Sequence, residues 1–119
     1  MDLHEYRILI IEDEIVIAMD LVSIIQDAGA EVVGPAMSVA EALRLIESHE
    51  ITAAIVDVNL GKQESLPVAQ RLDAAELPFV FHTGYAAKLS SKGWPQAPII
   101  KKPAAPEKLI AAVAAVAKR

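Results

Sequence analysis

The stretch AAIVDVNLG (residues 53–61) decides the fold class of this sequence. Its opening residues, AAIV, are small or β-branched and apolar, which is typical of a strand buried on both faces. The run ends at Asp57 and turns through Asn59, Leu60 and Gly61. Asp is common in turns because its carboxylate bonds the nearby backbone, so Asp57 has an ordinary structural interpretation. The remaining sequence decides whether Asp57 also carries chemistry.

Five β-type runs alternate with segments of helical periodicity. The runs are YRILII (6–11), AEVVG (30–34), TAAIV (52–56), FVFHT (79–83) and PIIK (98–101). Such alternation predicts parallel strands joined by right-handed crossovers, with helices on both faces of the sheet. We therefore expect an α/β fold of the flavodoxin-like type, a doubly wound five-stranded parallel sheet in the order 2-1-3-4-5.

Local signals place several helix boundaries. Ser38 followed by Glu41 three residues later is a capping box, and Pro106 suits the first turn of the last helix. The segment after Gly84, YAAKLSSKG, has poor helix propensity, so we expect at most a short helix there. The Ala-rich stripe of the last helix is typical of a thin helix packed on a sheet, and we expect a monomer or a weak homodimer.

Composition narrows the class of protein. The 119 residues fit one domain, which we place at 1–119. There is no cysteine, and the formal net charge of −5 argues against a nucleic-acid surface. The longest apolar stretch, LIAAVAAVA (109–117), is too short to span a membrane, and the N-terminus does not resemble a signal peptide. We expect a cytoplasmic location without membrane contact.

Polar residues follow the strands that become neighbours in this order. Glu12 and Asp13 follow strand 1, Asp57 follows strand 3, Thr83 ends strand 4 and Lys102 follows strand 5. Each has an ordinary explanation: Asp13 could cap a helix, Thr83 could be a strand residue, and Lys102 could be a solvated surface charge. Ligands of doubly wound sheets bind at this edge, however, and clustered carboxylates repel one another without a cation.

A divalent cation resolves this repulsion. Mg²⁺ prefers oxygen ligands and combines one or two carboxylates with a phosphate, whereas zinc prefers nitrogen and sulfur donors. Glu12, Asp13 and Asp57 can supply carboxylates, and the backbone carbonyl of Asn59 is a further candidate. With a phosphoryl group on the metal, Asp57 becomes the natural nucleophile. Three groups can then share the charge on the phosphoryl oxygens: Mg²⁺, Lys102 and the hydroxyl of Thr83.

These residues resemble the receiver domain of two-component response regulators over essentially the whole chain. The resemblance is carried by ILIIEDE (8–14), AAIVDVNLG (53–61), FVFHTGY (79–85) and IIKKP (99–103). The segment FVFHTGY is similar to that of the FATGY subgroup of receivers, with His82 in place of a small residue. The resemblance implies the following roles: direct metal ligand for Asp13, water-mediated ligand for Glu12, phosphoacceptor for Asp57, carbonyl ligand for Asn59, switch hydroxyl for Thr83 and phosphate-sensing amine for Lys102.

The sequence departs from the receiver pattern at one position. Receivers usually carry Tyr or Phe three residues before the Lys that corresponds to Lys102, and this chain has Ile99 there. We interpret Tyr85 as a possible switch aromatic that partly replaces it. The alternative for Tyr85 is a loop residue with a half-buried ring.

We expect a signalling switch rather than an enzyme. The resemblance implies that a histidine kinase or phosphotransfer protein phosphorylates Asp57, and that affinity for a downstream protein partner or output domain then changes. One alternative is a Mg²⁺-dependent phosphohydrolase, which would want an acid where Asn59 stands. Another is a pseudo-receiver interaction module, but such modules tend to lose the acids or the Lys. The chain reads as a stand-alone receiver or as a fragment of a longer regulator.

Overall fold

A five-stranded parallel sheet lies at the centre of the fold. The computed structural model describes residues 3–84, 86–90 and 93–117. The strands are β1 (Arg7–Ile11), β2 (Glu31–Ala36), β3 (Ala53–Val56), β4 (Asn59–Leu60), β5 (Gln63–Glu64), β6 (Phe79–Thr83) and β7 (Ile99–Lys101). The helices are α1 (Ile15–Asp27), α2 (Val39–Ser48), α3 (Leu66–Ala74) and α4 (Pro106–Ala117), with a 3₁₀ turn at Ala86–Ser90.

The strand order confirms the predicted topology. The sheet runs β2-β1-β3-β6-β7, which is the order 2-1-3-4-5 when only its five strands are counted. Each neighbouring pair is parallel. All four residues of β3 are fully buried, as expected for a strand covered on both faces. The carboxyl ends of β1, β3, β6 and β7 therefore lie side by side.

Alternate residues of β1, β3 and β6 enter two separate cores. Leu9, Val56 and Phe81 pack with α2 and α3 on one face of the sheet. Ile55 and Val80 belong to the core that packs with α1 and α4 on the other face. The period of two follows from the opposite directions of successive side chains in a strand. The apolar stripe of α4 is buried in this second core, which confirms that this helix packs on the sheet.

The segment after β3 differs from the simple turn that the sequence predicts. Asn59 pairs with Glu64 and Leu60 pairs with Gln63, so β4 and β5 form a small antiparallel hairpin. Gly61 has a φ of 65°, which suits the first position of a two-residue hairpin turn. Buried Leu60 anchors the hairpin to the core beneath it. The hairpin borders the site because its turn lies beside Asp13.

The helix boundaries agree with the local signals. The Ser38 hydroxyl accepts a hydrogen bond from the Glu41 N–H at 3.1 Å, while the Glu41 carboxylate accepts one from the Met37 N–H at 2.9 Å. Pro106 opens α4, and the part of the segment after Gly84 that the structure describes contains a short 3₁₀ turn at Ala86–Ser90. Among the described residues, no helix has the length and apolar character needed to traverse a bilayer.

Gly34 is expected to tolerate no side chain. Its φ is 95°, and a Cβ atom there would lie 2.7 Å from the Ala36 nitrogen and 3.0 Å from the Ile10 carbonyl oxygen. We expect Gly34→Ala to lower the free energy of unfolding by about 2 kcal/mol or more, because backbone atoms must move and the conformation is strained. Urea denaturation measures this loss. Gly84→Ala is the control, since nothing lies within 4 Å of the added atom; equal losses in both variants would contradict the expectation.

Candidate functional site

The end of β1 and the end of β3 bring two acids into the interior. Glu12 follows β1 and is fully buried, and its N–H donates to the Ala36 carbonyl of β2 at 2.9 Å. Asp57 follows β3, is only 6% exposed, and its N–H donates to the Ile11 carbonyl at 3.0 Å. Both acids are thus held by the backbone of neighbouring strands. The rigid sheet fixes where their carboxylates lie.

Asp13 completes a cluster of three acids. Carboxylate oxygens of Glu12, Asp13 and Asp57 all lie within 4.8 Å of one another. Asp13 is not the cap of α1, because the N-cap position is Glu14 and no side chain bonds there as a cap. The structure therefore favours the site interpretation of Asp13 over the capping interpretation.

Lys102 joins two of these acids through one ammonium group. Its Nζ donates to Glu12 Oε1 at 2.6 Å and to Asp57 Oδ2 at 2.9 Å. The Lys102 N–H donates to the carbonyl of buried Thr83 at 3.1 Å, which places the two residues at the same end of β6 and β7. The Lys102–Pro103 peptide bond is cis. Lys102 is therefore the lysine that contacts these acids, while Lys101 is exposed.

The pKa values of this pair both move upward. Burial alone would lower the pKa of Lys102, but its hydrogen bonds to Glu12 and Asp57 outweigh burial and raise it. Burial raises the pKa of Glu12, and the hydrogen bonds from Lys102 and from the Glu14 N–H offset only part of that increase. The Lys102 ammonium therefore stays charged, whereas burial makes the ionised form of the Glu12 carboxylate unfavourable.

The donor set fits a divalent cation. With every group ionised, three carboxylates and one ammonium sum to −3 + 1 = −2, which a doubly charged ion balances. The second oxygen of Asp57, Oδ1, is buried without a hydrogen-bond partner in the structure. A buried carboxylate oxygen without a partner is unfavourable and fits a site that completes its coordination with an ion. No histidine joins the candidate metal cluster among the described residues.

The remaining predicted site residues differ in burial, and one of them lies outside the described residues. Asn59 is partly buried and opens the β4–β5 hairpin two residues after Asp57. Thr83 is fully buried at the end of β6. Ile99, which stands at the usual aromatic position of receivers, lies in β7 and is 45% exposed. The possible switch aromatic Tyr85 lies outside the described residues, and its interpretation stays a hypothesis.

His82 is the residue that sequence reasoning undervalued. The spacing of His4, His49 and His82 in the sequence predicts no metal site, so sequence reasoning treats all three as incidental. In the structure His82 is buried beside the site, and burial, followed by the positive charge of Lys102, lowers its pKa. Its place in the buried strand FVFHT was the one available signal. A neutral imidazole therefore lies next to the charged groups.

Comparison with known families identifies the chain from residues 8–114. This range matches the family of the response regulator receiver domain. The chain belongs to that family. Receiver domains are signalling modules, so the phosphohydrolase alternative is excluded, and the five-stranded fold is the one that the family shares.

Three relatives illustrate the match. The transcriptional regulatory protein PdtaR of Mycobacterium tuberculosis is 32% identical over 83 residues, which is 69% of this chain and 40% of PdtaR. The phyllosphere-induced regulator PhyR of Methylorubrum extorquens is 33% identical over 111 residues, 90% of this chain and 42% of PhyR. The solution structure of SdrG from Sphingomonas melonis Fr1 is 39% identical with a TM-score of 0.80, covering 93% of this chain and 95% of SdrG. The chain thus spans about two fifths of the length of PdtaR and PhyR.

The raised pKa of Glu12 makes a pH prediction for the metal-free receiver. A folded-state pKa above the ordinary value of 4.5 means that the contribution of Glu12 to stability is fully present below 4.5 and is lost as pH rises through the folded-state value. Removing the titrating group should remove this loss. We therefore expect the stability of wild type relative to Glu12→Gln to fall as pH rises from about 4.5.

Urea denaturation with a chelator present, at a series of pH values, measures this difference. A constant offset is expected in addition, because Gln can accept only one of the two hydrogen bonds that Glu12 accepts. Glu50→Gln, which removes an exposed carboxylate elsewhere on the chain, is the control. A Glu12→Gln curve that runs parallel to wild type across this range would show that Glu12 ionises as easily in the fold as in the unfolded chain.

Proposed function

We propose that this receiver is a phosphorylation-controlled switch in which Asp57 accepts a phosphoryl group with the help of Mg²⁺. The observation that carries the proposal is the state of the Asp57 carboxylate. Lys102 binds Oδ2, while Oδ1 is buried without a partner beside two further acids. The sheet holds this carboxylate next to the Lys102 ammonium and next to two acids that can bind a metal ion. Such an arrangement suits a nucleophile whose product carries additional negative charge.

The proposed transfer starts from a phosphohistidine of the donor protein. An Asp57 oxygen forms a bond to phosphorus as the bond between phosphorus and the imidazole nitrogen breaks, and the leaving imidazole regains a proton. Lys102 keeps its charge throughout because its pKa is raised, so it stabilises the phosphoryl oxygens after it leaves the Asp57 carboxylate. The Thr83 hydroxyl takes another phosphoryl oxygen. Glu12, Asp13, Asp57 and the Asn59 carbonyl would hold Mg²⁺, which when bound would supply neutralising charge to the phosphoryl oxygens.

This chemistry requires a phosphodonor and a target that distinguishes the phosphorylated form. The phosphodonor is a histidine kinase or a phosphotransfer protein. The target is a downstream protein partner or an output domain, since the net charge of −5 disfavours nucleic acid. Phosphorylation can shift partner binding only if the partner has different affinities for the two forms. We assign all of residues 1–119 to this one receiver domain.

Mass spectrometry of the intact chain tests the proposal. Incubation with Mg²⁺ and a small acyl phosphate should add one phosphoryl group to wild type and none to Asp57→Asn. Asp73→Asn, an exposed carboxylate on α3, is the matched control and should be phosphorylated as wild type is. No adduct on wild type would favour a pseudo-receiver that acts without phosphorylation.

A further inference from the structure

A pocket of about 370 Å³ lies at the end of the sheet opposite Asp57. Phe79, which opens β6, and Pro98, which directly precedes β7, are among its lining residues. Because the strands are parallel, the residues that close them belong to the other end of the sheet, where Thr83 lies. The five residues of β6 place Phe79 about 13 Å from Thr83, at about 3.3 Å per residue. This pocket is therefore separate from the site of the acids and Lys102.

Much of the lining is apolar. Phe79 and Val116 line the pocket and are almost fully buried, in the cores on opposite faces of the sheet. Leu77 and Pro78, from the loop between α3 and β6, are half-buried, and Pro98 is exposed. These five side chains offer hydrophobic contact but no hydrogen bond. A ligand here therefore gains by placing aliphatic groups against them.

The charged residues of the lining are acidic. Asp73 lies in the last turn of α3 and Glu76 follows that helix, and both are exposed. No Lys, Arg or His belongs to the described residues that line the pocket. Electrostatic complementarity attracts a cation to these carboxylates and repels an anion. Together with the apolar lining, they favour a ligand that carries its positive charge on an aliphatic stem.

Glu76 is held in a backbone conformation that glutamate seldom adopts. Its φ is 58°, in the left-handed region. The Glu76 N–H donates to the Asp73 carbonyl at 3.0 Å, and the Leu77 N–H donates to the Leu72 carbonyl at 2.9 Å. This pattern of hydrogen bonds closes a helix and usually has glycine at the position of Glu76, because glycine adopts the left-handed conformation without strain. The helix end alone therefore gives no reason for a glutamate, whereas the pocket beside it does.

We propose that this pocket is a docking site for an arginine side chain of a partner protein. The methylene groups of arginine can pack on Leu77 and Pro78 while the guanidinium stays near the solvent-exposed carboxylates. Arginine suits the pocket better than lysine because its planar guanidinium can donate two parallel hydrogen bonds to one carboxylate. The surface lies at the other end of the sheet from Asp57, so the receiver can hold this partner in both its phosphorylated and unphosphorylated forms.

NMR titration of the full chain with N-acetyl-arginine amide tests the proposal. We expect the backbone amide signals of Leu77 and Phe79 to shift and to saturate, with a Kd in the millimolar range that is usual for so small a ligand. N-acetyl-citrulline amide has nearly the same shape and no charge. It should bind about tenfold more weakly, because hydrogen bonds between two charged groups are stronger than those of a neutral donor.

Substitutions of Glu76 separate the carboxylate from the helix end. Glu76→Gln keeps the left-handed residue and should weaken binding of the arginine probe about tenfold, through loss of the charge-assisted hydrogen bonds. Glu76→Gly should weaken binding to a similar degree and should also raise the melting temperature, because glycine relieves the strained conformation. Glu107→Gln is the matched control, since it removes an exposed carboxylate from the first turn of α4 and should leave binding unchanged.

Several results would overturn the docking site. These are equal binding of the arginine and citrulline probes, unchanged binding in Glu76→Gln, and absence of any shift in wild type. Binding that appears only after Lys118 and Arg119 are replaced by Gln would show that the chain's own basic end fills the pocket, and this too overturns docking of a partner. Asp57→Asn should bind the arginine probe as wild type does, so the outcome is independent of whether Asp57 is phosphorylated.

Discussion

Lys102→Met is expected to lower the free energy of unfolding by about 3 kcal/mol in Mg²⁺-free solution near neutral pH, since breaking a buried ion pair leaves an uncompensated charge. Here the loss falls on two acids at once. Glu12 and Asp57 both bind the same ammonium and are buried. Without it, their carboxylates lie close together in the interior and repel each other. The expected value is at the lower end of the usual range, because Glu12 can respond by taking up a proton.

Mg²⁺ should reverse much of this loss. The Lys102→Met site carries one positive charge fewer, so an ion that binds among the three acids gains more there than in wild type. Denaturation with and without Mg²⁺ measures both effects. Lys101→Met is the matched control, because this neighbouring lysine is exposed and its loss should change stability by no more than about 0.5 kcal/mol. Equal effects of the two substitutions would show that the contacts of Lys102 contribute nothing to the fold.

Asp13→Asn is expected to abolish stabilisation of the receiver by Mg²⁺. An ion that binds only the folded form stabilises it by about 2.7 kcal/mol when its concentration is roughly 100 times Kd. Asp13 is the least buried of the three acids, and a neutral amide there leaves two carboxylates that Lys102 already neutralises in part. The variant should fold normally without metal, because Asp13 makes no capping bond to α1.

Thermal melting at increasing Mg²⁺ concentration measures this difference. Wild type should show a rising melting temperature that levels off, and Asp13→Asn should show a flat curve. Asp27→Asn, an exposed acid at the end of α1, tests whether removal of any negative charge has the same effect. If Asp13→Asn kept the full Mg²⁺ response, the ion would bind elsewhere on the chain.

The sheet was predictable because its strands are buried on both faces. AAIV reads as a continuous apolar run, and every one of its residues is fully buried in β3. Alternation with helical periodicity then predicted a doubly wound parallel sheet, and the order 2-1-3-4-5 is a common one for that class. The β4–β5 hairpin escaped prediction because Gln63 and Glu64 are exposed and carry no alternating apolar signal. Gly61 marked the turn without revealing that the flanking residues pair.

The clustering of the acids was predictable, but the contacts of Lys102 with them and the burial of His82 were not. Residues that follow neighbouring parallel strands must gather at one edge, which is why Glu12, Asp13 and Asp57 meet as expected. Sequence spacing says nothing about how far a lysine side chain reaches, so the double contact of Lys102 appeared only in the structure. Burial of His82 beside these charges was missed for the same reason, because it depends on how α1 and α4 cover the sheet.

The identity of the phosphoryl acceptor is the central claim, and chemical trapping tests it most directly. Borohydride reduces aspartyl phosphate to homoserine with loss of the phosphate, which changes the mass of one peptide. After treatment of the phosphorylated chain, homoserine should appear at position 57 and nowhere else. Homoserine at another carboxylate, or a phosphorylated chain that borohydride leaves unchanged, would contradict the account.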